Sequence, residues 1–160
     1  KKILISACLA GDLVRYDGKQ KPLTNEVLCK WSRKGLLVTV CPEVSGGLNI
    51  PRLPAEIVNG TGWDVLNGKA RVMNSKADVT IPFIRGAEYA LSLAKINGIE
   101  MAILKERSPS CGVHHIYDGR FVSNLIPGSG VTAALLRQNR IKVFSENELD
   151  QVRALLEAVS

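Results

Sequence analysis

A chain of 160 residues, 46% apolar and 22% charged, has the length and composition of a globular domain that buries its own core, which excludes a disordered tail and a disulfide-stapled miniprotein. Its 21 basic residues outnumber 15 acidic ones, yet they stand singly or in pairs such as Lys1-Lys2 and Arg33-Lys34, so attraction of small anions is expected ahead of nucleic-acid binding. No apolar run is long enough to cross a bilayer and "KKILISACLAG" lacks a signal-peptide cleavage pattern, so no membrane partner and a cytoplasmic location are expected.

"KKILISACL" opens with a short β-prone run, Ile3 to Ala7, and "LLVTVCPE" supplies a second, Leu36 to Val40. Between them "LTNEVLCKWSRKG" reads as a helix, with Thr24 or Asn25 as N-cap and Gly35 as terminator. From Ser45 to Thr80 glycines, prolines and Asn-Gly pairs punctuate short pieces. An irregular loop is expected there, then a small hairpin, "WDVLNGKARVM", turning at Asn67-Gly68.

A long helix follows over "IPFIRGAEYALSLAKINGI", capped by Thr80 and ended by Asn97-Gly98. "MAILKE" is a third buried strand, "SGVTAALLRQNRI" a helix and "KVFSE" a fourth strand. "ENELDQVRALLEAV" closes the chain as a helix, with Ser145 and Glu148 spaced as a capping box. Strands alternating with helices predict an α/β fold over 1–160 as a single domain: a Rossmann-like, mainly parallel sheet with helices on both faces and a small hairpin insertion.

The consequence for chemistry is geometric, because ligands in such folds gather at the carboxyl ends of the strands. Cys8, Cys41 and Cys111 each follow a predicted strand, whereas Cys29 lies inside the first helix and reads as a small buried hydrophobe. Three convergent thiolates suit a soft metal, either zinc with a fourth ligand or an iron-sulfur cluster with one iron left open. The absence of a CxxC pair argues against common zinc ribbons. His114 and His115 are available as ligands or as partners of a nucleophilic Cys111, but a thiol enzyme of that kind leaves Cys8 and Cys41 unexplained.

Other groups fall near the same edge. Glu43, two residues beyond Cys41, is placed to move protons; Ser108 and Ser110 flank Pro109 in the loop of Cys111, where their hydroxyls face a substrate or cap a turn. Arg15 and Tyr16, in "RYDGK", are candidates to line a pocket. "PGSGVT" looks like a phosphate-cradling loop but lacks the lysine of a Walker motif, so it is read as tight packing.

Taken together, "SACLAGDLVRYDG", "CPEVSGG" with "PRLPAEI", "AILKERSPSCG", "IYDG" and "GVTAALL" resemble the short bacterial family to which thiouracil desulfidase belongs, from about Ile3 to Glu146. The resemblance implies a [4Fe-4S] cluster held by Cys8, Cys41 and Cys111, whose open iron binds the sulfur of a thiolated nucleobase such as 2-thiouracil. Sulfur is replaced by oxygen without net redox change. By the same resemblance Glu43 and Ser108 are the assisting acidic and hydroxyl groups; the sequence leaves open whether sulfide is discarded or handed to a sulfur acceptor. Val14 stands where several relatives carry another cysteine, and Asn49 and Ala10 also depart from the family's commoner choices. The competing reading is a metal or iron-sulfur module that binds sulfide or senses redox state without turnover.

Overall fold

A computed structural model describes residues 1–11 and 25–158. Four parallel strands form the main sheet: β1 (Ile3–Ser6), β2 (Leu37–Val40), β5 (Met101–Leu104) and β8 (Lys142–Ser145), in the order β2-β1-β5-β8. The register pairs Ile3 with Leu37, Leu4 with Ala102 and Met101 with Lys142. All residues of β1 and β5 are buried, as expected of central strands covered on both faces. Ile3, Leu4 and Ile5 are wholly inaccessible, and each contributes about 1.5–3 kcal/mol through burial.

Helices cover the two faces, as the alternation in the sequence predicts. Ile3, Ile5, Met101 and Ile103 pack against α1 (Glu26–Arg33) and α6 (Leu149–Ala158) through Leu28, Trp31, Leu149 and Val152. On the opposite face Leu4, Ala102 and Leu104 meet α4 (Thr80–Ile96) and α5 (Val131–Gln138) through Ala90, Ala94, Ala133 and Leu136. Asn25 is the N-cap of α1, its Oδ1 accepting the amides of Val27 and Leu28, and Gly35 has the left-handed φ of +70° that stops the chain before β2. Thr24 lies outside the described residues.

The middle of the chain corrects the sequence reading in detail. A hairpin-like pair exists, but its strands are β3 (Ala55–Val58) and β4 (Arg71–Asn74), antiparallel, with the short helix α3 (Gly62–Leu66) between them. "WDVL" is therefore helical: the Asp64 carboxylate accepts the Thr61 amide at 2.8 Å, and Gly68, at φ +77°, ends a helix and does not form a hairpin turn. Thr80 is the first residue of α4, not its cap; Asp78 accepts its amide, and its hydroxyl instead accepts the Val72 amide at 2.9 Å. A second antiparallel pair, β6 (His115–Tyr117) with β7 (Leu125–Pro127), lies in a stretch to which the sequence assigned no strand.

The loop after Val40 forms one further turn, α2 (Pro42–Ser45), which crosses α4 at two glycines. A Cβ on Gly46 would run into the Pro82 carbonyl, and one on Gly86 into that of Pro42. No other residue permits so close an approach, and the contact fixes the Cys41–Glu43 turn on the longest helix of the described chain.

Candidate active site

β1 and β5 are neighbours in the sheet although their chain connections run to opposite sides, so a crevice opens outside their carboxyl ends. A cavity of about 530 Å³ occupies it, with Cys8, Cys41 and Cys111 all in its wall. Each cysteine is delivered by a different strand. Cys8 sits in a 3-10 turn that follows β1, Cys41 is the N-cap residue of α2 after β2, and Cys111 lies in the loop beyond β5. Cys29, on α1, does not line it.

Electrostatics distinguish these thiols. Burial pushes the Cys111 thiol well above its ordinary range, against a hydrogen bond with Ser6, and the neighbouring Cys8, Glu43 and Cys41 push it further. Burial also raises Cys41, helped by the Glu43 carboxylate and opposed by the Val44 amide and the Arg52 guanidinium. Thiolates in one enclosed space repel one another, so these thiols keep their protons until a cationic centre joins them, which is the donor chemistry of a thiolate-bound metal group. Among the described residues no three His, Cys, Asp or Glu side chains gather as ligands of one metal ion. The three cysteines line one cavity from three different strand ends, and thiol donors of that kind suit a soft metal group.

Glu43 is in the same wall, its Oε1 accepting a hydrogen bond from Arg52 Nε at 3.1 Å, with both side chains largely buried. Ser108 also lines the cavity. Its Oγ accepts the amides of Ser110 and Cys111, each at 3.1 Å, so the turn-capping role anticipated from sequence is present alongside cavity exposure. Ser110 is not brought to the site: it is completely buried, its hydroxyl 2.7 Å from that of Thr132. His114 and His115 also stand apart from the cavity wall, His114 Nε2 meeting Glu148 Oε1 at 2.8 Å. The Cys111–histidine pairing considered from sequence is not formed. Arg15, Tyr16 and Val14 lie outside the described residues.

The Cys111 loop is held from two directions. Glu106 Oε1 accepts the amides of Val113, His114 and His115 at 2.7, 2.9 and 3.1 Å. From the other side the first amides of α5 donate to the loop, Val131 to the Pro109 carbonyl and Thr132 to that of Ser110. "PGSGVT" thus packs against the Cys111 loop, as the sequence predicted, and its helix N-terminus is spent on protein carbonyls. Glu106 is itself positioned by Glu146, whose Oε1 accepts its amide while Oε2 pairs with Lys105 at 2.9 Å. Burial opposes ionisation of Glu146, but these partners outweigh it and hold its carboxyl below the ordinary range.

Sequence reasoning missed Ser6, Arg52, Glu56, Glu106, Arg107 and Phe121, all of which line the cavity. The position of Ser6 at the end of β1 is a legible signal; the Glu56 and Glu106 carboxylates bind backbone amides, which any residue type offers, and carry none.

The model of the 2-thiouracil desulfurase family matches residues 3–148. The chain belongs to that family. A relative from Bacillus subtilis (strain 168), the uncharacterized protein YbbK, is 46% identical over 151 residues, which is 94% of this chain and 99% of that one. Among solved structures, that of the [4Fe-4S]-dependent thiouracil desulfidase TudS is similar with a TM-score of 0.89 and 43% identity, covering 99% of both chains. The α/β architecture is therefore shared with a desulfurase-family structure along essentially the whole chain.

Proposed function

We propose that the protein is a [4Fe-4S]-dependent desulfidase that removes sulfur from a thiolated nucleobase such as 2-thiouracil and leaves the oxo form. The observation that carries this reading is the arrival of Cys8, Cys41 and Cys111, from three strand ends, in one cavity wall that also contains Glu43 and Ser108. Membership of the 2-thiouracil desulfurase family and the likeness to TudS support both the reaction class and the cofactor.

Cys8, Cys41 and Cys111 would hold the cluster. A cluster with three cysteine ligands supplies an open iron, a Lewis acid with affinity for sulfur that polarises a C–S bond. The net reaction replaces C=S by C=O, with water as the oxygen source and sulfide as the product, so no external reductant enters.

The chain's own groups account for proton movement and orientation. Glu43 takes a proton from the attacking water and returns it to the departing sulfur, a service worth typically 10²–10⁴-fold in rate. Arg52 holds that carboxylate in the cavity wall through its Nε hydrogen bond. Ser108 has two amides on its oxygen, which leaves its O–H as a donor toward the ring and strengthens it as one. The test is sulfide release from 2-thiouracil by protein purified and reconstituted without oxygen. Turnover abolished in Glu43→Ala with iron content intact supports the enzyme; a wild type that carries about four irons and releases no sulfide supports a non-catalytic module.

A further inference from the structure

Two features at the cavity rim are costly and unexplained by packing. Phe121 lines the cavity with its side chain half exposed, yet its backbone sits at φ +59°, in the left-handed region that bulky residues avoid. With its side chain half exposed, burial of the ring offsets that strain only in part. Glu56, only 9% exposed, spends its carboxylate on two backbone amides of the same loop: Oε1 accepts from Gly119 at 2.9 Å and from Phe121 at 3.2 Å. A buried carboxylate with such partners is a fixing device, and what it fixes is the conformation that presents Phe121.

The rest of the loop is tied in the same sense. Asp118 accepts the Asn124 side chain at 2.9 Å and the Arg120 amide at 3.0 Å, and these bonds hold its carboxyl down at about 2. Gly119, at φ +91°, passes so close to β3 that a Cβ there would meet the Ile57 carbonyl. Strain concentrated at a cavity edge and over-determined by its surroundings points to a functional contact.

We propose that Phe121 is a specificity-determining residue, an aromatic wall on which a planar heterocyclic substrate stacks, with Glu56 as the positioning residue that holds it. The inference rests on the reading of the cavity as a thiolated-nucleobase site. Every base offers a π face, so a fixed aromatic ring selects planar heterocycles over open-chain thioamides.

The test uses reconstituted holoenzyme and two readouts. Calorimetric titration with uracil is expected to show about tenfold weaker binding in Phe121→Ala and Phe121→Leu, recovery in Phe121→Tyr, and weakening in Glu56→Ala. In turnover, the preference for 2-thiouracil over thioacetamide is expected to fall about tenfold in Phe121→Ala, through KM more than kcat. Uracil bound equally by wild type and Phe121→Ala, or not bound by wild type, overturns the proposal. Uracil binding that depends on the ring in a protein releasing no sulfide leaves the stacking wall standing and removes the desulfidase reading. Sulfide release with an unchanged preference in Phe121→Ala does the reverse.

Discussion

Arg52 Nε donates to Glu43 Oε1 at 3.1 Å in the wall of the three-cysteine cavity, and the same guanidinium reaches the Asn49 carbonyl through Nη1 at 3.3 Å. The pair is nearly buried, so removing one partner strands the other charge. Arg52→Met is expected to lower the rate of sulfide release by about tenfold and Glu43→Gln by about 10²-fold or more. Iron and acid-labile sulfide are retained in both. A Glu43→Gln variant with wild-type turnover would remove the carboxylate from the reaction.

The three strand-end cysteines predict a clear division among four thiol variants. Cys8→Ser, Cys41→Ser and Cys111→Ser are each expected to lose the broad visible absorption and most of the roughly four irons per chain. Cys29→Ser, altered on α1 away from the cavity, is expected to keep both. Iron analysis after anaerobic reconstitution decides it, and a colourless Cys29→Ser with a brown Cys8→Ser would reverse the ligand assignment.

Much of this was legible from sequence. The runs at Ile3 and Met101 are apolar throughout because both faces of β1 and β5 are covered, and that pattern marks central parallel strands. The convergence of Cys8, Cys41 and Cys111 followed from their places after strands. Trp63 to Leu66 misled because Trp and Val read as β-prone and Asn-Gly suits a hairpin, although Thr61 and Asp64 already spelled a helix start. β6 and β7, at three residues each, are too short to show a period. Glu56 was invisible for another reason: its partner amides lie more than sixty positions away, and any residue type offers an amide.

Glu106 extends that point to a variant. One oxygen accepting three amides of the Cys111 loop makes the carboxylate a structural clasp. Glu106→Ala is expected to cost about 2–3 kcal/mol in urea denaturation of the metal-free protein, since hydrogen bonds to a charged group carry about 1.5–3 kcal/mol. It should also speed cluster loss in air. Glu106→Gln, which keeps a carbonyl acceptor, should recover part of both. Equal stability of Glu106→Ala and wild type would show that the loop is held by α5 alone.

The glycine crossing of α2 and α4 makes a prediction at a distance from the chemistry. Gly86→Ala adds one methyl where the Pro42 carbonyl already lies, so the helices must part. About 1–3 kcal/mol of destabilisation is expected by denaturant titration, with weaker cluster retention because the Cys41–Glu43 turn rides on α2. The reverse substitution at the neighbouring position is informative: Ala87→Gly removes a fully buried methyl and should destabilise without displacing the turn.

Asp78 contributes a pH dependence. Hydrogen bonds from Thr80 and from Arg71 hold its carboxyl down at about 2, at the start of α4, where a negative charge also complements the helix N-terminus. A carboxyl whose folded pKa lies below its unfolded value of about 3.9 stabilises the protein above that unfolded value. The contribution declines as pH falls from about 4 and is lost as pH passes through about 2. The group is exposed, so screening keeps the effect on the order of 1 kcal/mol or less. Asp78→Asn is therefore expected to be less stable than wild type at pH 7, with the two denaturation midpoints converging between pH 4 and about 2. A difference that persists undiminished at pH 2 would assign the effect to the lost geometry of the carboxylate's hydrogen bonds and not to its charge.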